Sequence, residues 1–306
     1  YNQIGAEGVQ KILNGLMMCL STTQLILNLN NILSYQNELS NQIILSLQAA
    51  LRKLSKIQKL DLGLCQLNIE SKGFMSILSS LRDYLELGHL SLNLNQNLIV
   101  AQGVKDFDIF FENLQNIVSF DLNLGKNKID EAGVGQISKA LIKYRNIQKL
   151  NLNLDENKLS QTAIKHIVSI IEQNLYITEL KLSLNQCNIS NRGVFYFTES
   201  LSNKKNITLL HLSLNQNIFD PEGAQLFGDI FKENNSIINF SLELNQTLFK
   251  EAALIYLTNK LLVQYNLKYL NLSFNHNSIN RKVAEEIATS LKDCNNIKQL
   301  SISIKY

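Results

Sequence analysis

An α/β stack of near-identical strand–turn–helix units, about ten of them, is what this 306-residue sequence prescribes. Three observations lead there. Leu60, Leu90, Phe120, Leu150, Leu180, Leu210, Phe240, Leu270 and Leu300 stand in one column at a spacing of 30, with no insertion or deletion between them. Around each, apolar and polar residues alternate, the signature of a strand with one buried face. Downstream the apolar spacing lengthens to i, i+3, i+7, one face of a helix. Such a unit cannot bury its apolar face alone, so the units stack, and a stack of this kind is ordinarily a surface for holding something.

The strand is carried by further columns in the same register. Ile57, Leu87, Ile117, Ile147, Ile177, Ile207, Ile237, Leu267 and Ile297 precede it, while Leu62 through Ile302 and Leu64 through Ile304 continue it. A turn follows, marked by Asn97, Asn127, Asn157, Cys187, Asn217 and Asn277, with Leu67 and Thr247 in the same place. An Asn amide both donates and accepts, so a stacked Asn column can satisfy backbone groups that the turns leave unpaired. Six residues on come Gly73, Gly103, Gly133, Gly193 and Gly223, replaced by Ala163, Ala253 and Val283 in other units. That position calls for small size more than for positive φ. The helix then shows Val104, Phe107, Phe111, repeated as Val134, Ile137, Leu141 and onward to Ala284, Ile287, Leu291.

The stretch from Ile147 through Leu150, Leu152, Leu154 and Asn157 to Leu159 resembles a leucine-rich repeat. The helix and the small residue before it resemble the ribonuclease-inhibitor-like subclass, and the resemblance runs from Ile4 and Gly8 to Ile304. The strand segment carries an additional Leu-x pair relative to the family's usual unit. The resemblance implies a horseshoe solenoid with a parallel β-sheet inside and α-helices outside. It names no partner.

The register, the single proline (Pro221) and the absence of a Gly/Ser linker make residues 1–306 one leucine-rich-repeat domain. The chain begins after the strand of its first unit and stops at the strand of its last, with no atypical polar capping unit at either end. The expectation is a piece of a longer chain, or an end covered by another polypeptide. One irregularity breaks the register: Leu25, Leu27 and Leu29 match Leu60, Leu62 and Leu64 at a spacing of 35. The surplus is expected as a rim loop around Asn30 to Gln36, with Asn37 and Leu39 in the turn, and Ile32, Leu33 and Tyr35 make it a candidate contact.

A net charge of +3 is too small to argue for a nucleic-acid or membrane surface. No apolar run reaches the ~20 residues of a membrane helix. Cys19, Cys65, Cys187 and Cys294 have neither C-x-x-C spacing nor a shared column in adjacent units, which points to a reducing, cytoplasmic compartment.

Function is expected on the outward strand positions, the concave face. One column runs Lys59, His89, Ser119, Lys149, Glu179, Leu209, Asn239, Tyr269, Gln299; the next runs Asp61, Ser91, Asp121, Asn151, Lys181, His211, Ser241, Asn271, Ser301. A third includes Gly63, Asn93, Ser183 and Glu243. Asp121, Lys149, Asn151, Glu179, Lys181, Leu209, His211, Glu243 and Tyr269 are the candidate protein-binding residues, with Leu209, His211 and Tyr269 the sizeable groups among them. Aromatic anchors carry most interface energy, so their scarcity predicts a wet, loosely specified surface. No Gly-rich phosphate loop, nucleophile elbow or His/Cys ligand cluster is present, so neither enzyme activity, cofactor, metal nor small-molecule substrate is expected.

Two functional classes remain. The first is a scaffold for other proteins in a large complex. Repeats of the resembled subclass occur in cytoskeletal proteins such as the dynein regulatory complex of cilia. An Asn-rich chain with one Pro and no Trp fits an AT-rich genome such as a ciliate's. The second is a GTPase activator like the leucine-rich-repeat activator of the nuclear-transport GTPase, which uses rim residues including an Arg. Arg192 and Arg281 fall in expected rim turns, but the acidic tail of that family is missing from this sequence.

Overall fold

The computed structural model describes residues 4–32, 37–112, 114–247, 249–277, 279–292 and 294–305, without the side chains of 37–39 and 111. It divides into two compact units, Tyr1–Asn157 and Lys158–Tyr306. Unit one contains α1 (Gly5–Leu16), β1 (Gln24–Asn28), α2 (Asn37–Lys53), β2 (Lys59–Gly63), α3 (Ser71–Ser80), β3 (His89–Asn93), a 3-10 turn (Ala101–Val104), α4 (Phe107–Phe111), β4 (Ser119–Asn123), α5 (Glu131–Lys143) and β5 (Lys149–Asn153). Unit two contains α6 (Gln161–Gln173), β6 (Glu179–Ser183), α7 (Asn191–Ser202), β7 (Leu209–Ser213), α8 (Pro221–Glu233), β8 (Asn239–Glu243), α9 (Glu251–Leu262), β9 (Tyr269–Ser273), α10 (Arg281–Leu291) and β10 (Gln299–Ser303).

Within each unit the strands are parallel and pair in chain order. Leu25 lies opposite Leu60, Leu60 opposite Leu90, and Leu90 opposite Phe120 in unit one. In unit two Leu180 faces Leu210, Leu210 faces Phe240, and Leu270 faces Leu300. The column that sets the register is buried from Leu60 to Leu270. Each unit is thus an α/β leucine-rich-repeat solenoid, strands along one side and helices along the other. Helix starts are legible in the sequence: Asp130, Ser160, Asp220 and Asn280 accept from backbone N–H groups of their own first turns, and Pro221 opens α8 where its missing N–H costs nothing.

The Asn column does what its chemistry allows. Asn97 Oδ1 accepts from the N–H groups of Leu67 (3.1 Å) and Ile69 (2.9 Å), and its Nδ2 donates to the carbonyls of Leu64 and Leu94, each at 2.9 Å. Asn217 repeats the pattern with Cys187, Ile189, Leu184 and Leu214. Each amide therefore closes its own turn and the one before it. Glycines six residues on have no positive φ, and a Cβ on Gly193 would stand 2.6 Å from Ile189 Cγ2. Small size is what that column selects.

Two expectations need correction. The expected rim loop falls largely on residues outside those described, but α2 starts earlier than a turn at Asn37 and Leu39 allows. Asn31 already occupies the regular turn, its N–H donating to the Cys65 carbonyl at 2.9 Å, while α2 begins at Asn37 and runs 17 residues against 13 in α5. The insertion mostly lengthens a helix, since each added helical residue brings its own backbone hydrogen bond; Asn37 and Leu39 belong to that helix, not to the turn. The second correction concerns Val104, Phe107 and Phe111, which do not share one continuous helix. A 3-10 turn and the short α4 replace it. Gly103 and the aromatic run are weak helix formers, and Phe107 is held instead among Phe74, Phe110 and Phe120, with ring centroids 6.0–6.4 Å apart.

One backbone feature is absent from the hydrophobic pattern. Gln66, Gln96, Lys126 and Glu156 in unit one, and Gln186, Gln216, Gln246 and His276 in unit two, have φ between 52° and 57°. A non-glycine residue there costs on the order of 1 kcal/mol. Each N–H is repaid by a carbonyl of the next turn where the partner lies in the same unit, as from Gln96 to Gly125 and from Gln216 to Asn245, both 2.8 Å.

Candidate interaction surface

Alternation along each five-residue strand turns two side chains into the core and three outward, so the sheet face is built from positions that the repeat itself leaves unspecified. In unit one the face carries Asp121 and Asn151 side by side, Asn151 Nδ2 donating to Asp121 Oδ2 at 2.8 Å. Lys149 is exposed at the start of β5, opposite Ser119. His89 is half-buried; burial pushes its imidazole below the usual range, Lys59 adds to this, and Asp61 and Asp121 oppose it.

In unit two Glu179 pairs in register with Leu209, and Lys181 with His211. Burial lowers the His211 pKa; Glu243 opposes this and Lys181 reinforces it, which favours the neutral ring. Glu243 is held in place, its Oε2 accepting from Ser213 Oγ (2.8 Å) and Asn215 Nδ2 (3.1 Å). Leu209 is half-buried, and Tyr269 is 41 % exposed. Asn239 lies between them on β8, two strand spacings of about 4.8 Å each separating Leu209 from Tyr269. Tyr269 stands over a shallow recess of about 380 Å³ shared with Asn239, Asn271, Gln299 and Ser301.

The structure therefore gathers Asp121 with Asn151, and Glu179, Lys181, Leu209, His211 and Glu243 on β6 to β8, while Tyr269 stands farther along on β9. At the rim Ile32 is half-buried, and Leu33 and Tyr35 lie outside the described residues. Arg192 and Arg281 are not in rim turns. They sit in the first turns of α7 and α10, where Arg192 Nε donates to Tyr196 Oη (2.8 Å) and Arg281 pairs with Glu285 (2.7 Å).

Sequence reasoning missed Ile26. It is 66 % exposed on β1 opposite Asp61, the largest apolar side chain on the face of unit one. Its column was hidden because the insertion puts it 35 residues before Asp61, although the spacing of Leu25 and Leu27 would have found it.

Chemically the surface offers amides, hydroxyls and mixed charges that donate and accept hydrogen bonds. Among the described residues no cluster of three or more His, Cys, Asp or Glu could hold a metal ion, and no helix is long and apolar enough to cross a membrane. Among the described residues no two cysteines are joined in a disulfide.

No protein-family model matches the chain, and comparison with curated proteins gives no match. Among solved structures the chain is similar to leiomodin-1 actin-binding site 2, at 13% identity and a TM-score of 0.41, over 51% of this chain and 86% of that one. What the strand pairing and the repeated columns establish is the fold, a leucine-rich-repeat solenoid in each unit.

Proposed function

We propose that this chain is a non-enzymatic scaffold that holds other proteins within a larger assembly. Its repeats are of the ribonuclease-inhibitor-like kind, and its setting is cytoplasmic, cytoskeletal or ciliary, as in a dynein-regulatory-type complex. It needs no cofactor and engages neither nucleic acid, membrane nor small-molecule substrate.

The observation that carries this reading is the composition of the sheet face. The buried strand columns are filled by Leu, Ile and Phe, whereas the outward strand positions vary from Ile26 to Asp121, His211 and Tyr269. Positions released from the fold and presented in a row are the ones a partner can read. A photo-crosslinking residue at Asn271, beside Tyr269, should capture a protein partner in native extract, and Tyr269→Ala with Leu209→Ala should abolish capture. Adducts arising only from helix positions such as Glu222 would overturn the reading.

The GTPase-activator alternative needs an arginine held clear of its own helix. Arg281 and Arg192 are each tied to a side chain one turn along. Assays of GTP hydrolysis with small GTPases test it directly.

A further inference from the structure

We propose that Lys165, Arg192, Phe195 and Tyr196, on α6 and α7, form a second docking surface on the helical side, for an acidic, glutamate- or aspartate-rich segment of a partner protein. It is independent of the sheet face and goes beyond the scaffold reading.

The cluster is ordered before any partner arrives. Arg192 Nε donates to Tyr196 Oη at 2.8 Å, its guanidinium carbon lies 6.0 Å from the Tyr196 ring centre, and Lys165 Nζ stands 5.0 Å over the same ring. Phe195 meets Tyr196 edge-on, centroids 6.0 Å apart, and is itself 42 % exposed. Holding long cationic side chains on an aromatic ring removes part of the entropy cost of engaging a ligand.

Charge decides the ligand. Some basic side chains on the helices meet carboxylates: Lys11 with Glu7, Lys139 and Lys143 with Asp108, Arg281 with Glu285. Lys165 and Arg192 have no such partner among the described residues, and they converge on a phenol rather than an acid. With Nε committed to Tyr196, the two Nη groups of Arg192 remain as an end-on fork that matches one carboxylate. The Lys165 ammonium can take a second, and the Tyr196 hydroxyl, accepting from Arg192, still has its own proton to donate. Phe195 gives the apolar contact that a peptide side chain would cover. Two cations beside two aromatic rings suit a peptide; a nucleic-acid backbone would call for a longer basic stripe.

The test uses a fluorescein-labelled peptide of alternating glutamate and leucine, its glutamine–leucine counterpart, and fluorescence anisotropy at low salt on the whole chain. Wild type should bind the glutamate peptide and not the glutamine one. Lys165→Gln with Arg192→Gln should weaken binding by about tenfold or more, and Arg192→Lys, which keeps the charge and loses the fork, should recover only part of it. These positions are on the surface, so unchanged circular dichroism is expected for each variant. Tyr269→Ala should leave the peptide affinity intact, which separates this surface from the sheet face. Equal binding of both peptides, unaltered affinity in the double variant, or no binding by wild type would overturn the proposal.

Discussion

The two units share one register and solve the same turn differently. In unit one Asn93, Asn123 and Asn153 close the turn locally, each Oδ1 accepting from the N–H two residues on, at 3.2, 3.0 and 2.9 Å. At Gly63, which has no such oxygen, the Cys65 N–H reaches Asn30 Oδ1 of the previous repeat at 2.7 Å. In unit two the third outward column holds Ser213, Glu243, Ser273 and Ser303, and the equivalent N–H goes to the previous repeat. Asn185 Oδ1 accepts from Asn215 N–H (2.6 Å), Asn215 from Asn245 (2.8 Å), Asn245 from Asn275 (2.6 Å) and Asn275 from Lys305 (2.7 Å). Ser273 and Ser303 hydroxyls donate to the oxygens of Asn245 and Asn275, while the Ser213 hydroxyl donates to Glu243. One N–H is contested by two amides, and the nearer wins when it is present. An Asn at the third outward position makes the repeat self-sufficient; a Ser there hands the bond to a neighbour and ties repeats together.

The largest test of that contrast is Leu182→Asp. A charge at this fully buried site should cost about 4 kcal/mol or more. Hydrogen exchange should then rise across β6, β7 and β8 together; a loss confined to β6 would break the idea that unit two is tied repeat to repeat. Next comes the ladder common to both units. Asn217→Ala and Asn127→Ala strand buried carbonyls and N–H groups alike, and each should cost about 3 kcal/mol in urea unfolding. Unequal costs would show that the deep ladders differ too.

Asn215→Ala and Asn123→Ala sharpen the comparison further. The first removes an amide that joins repeats, at about 1–2 kcal/mol; the second removes a local turn bond, at about 0.5–1 kcal/mol. Ser213→Asn should convert the unit-two turn to the unit-one type, and exchange protection of the Asn215 amide should then no longer depend on Asn185.

The smallest effect lies at the ends of the helices, and here the units should respond to alkali with opposite sign. Tyr84 Oη donates to the Leu51 carbonyl (2.7 Å), and Tyr144 Oη accepts from Ile117 N–H (3.0 Å). Burial raises both phenols, Tyr144 to about 12. Their contribution is complete below the unfolded value near 10 and is lost as pH climbs through the folded one. In unit two the matching position is Lys204, whose Nζ donates to the Glu172 carbonyl (2.7 Å) and whose pKa burial lowers while Glu172 opposes. That contribution is complete above the unfolded value near 10.4 and declines as pH falls through the folded one. Thermal melts followed by exchange should show unit one weakening between pH 10 and 12, and Tyr144→Phe should blunt the loss.

The repeat, its buried columns, the Asn ladder and the small residue at each helix start could be read from the chain alone. All of these are periodic, and a pattern copied nine times rises above local noise. The strand face was also readable, since alternation assigns inside and outside at once; the face of β1, with Gln24, Ile26 and Asn28, escaped behind the one break in period. What the chain alone left open are choices between competing partners, some one turn away and some in the neighbouring repeat. Whether Asn185 or a residue at position 213 takes the Asn215 N–H, whether extra residues extend α2 or a loop, and whether Arg192 finds a carboxylate or Tyr196 depend on groups competing for the same space. Periodicity says which residues line up. Packing in three dimensions says which of them reaches the shared atom first.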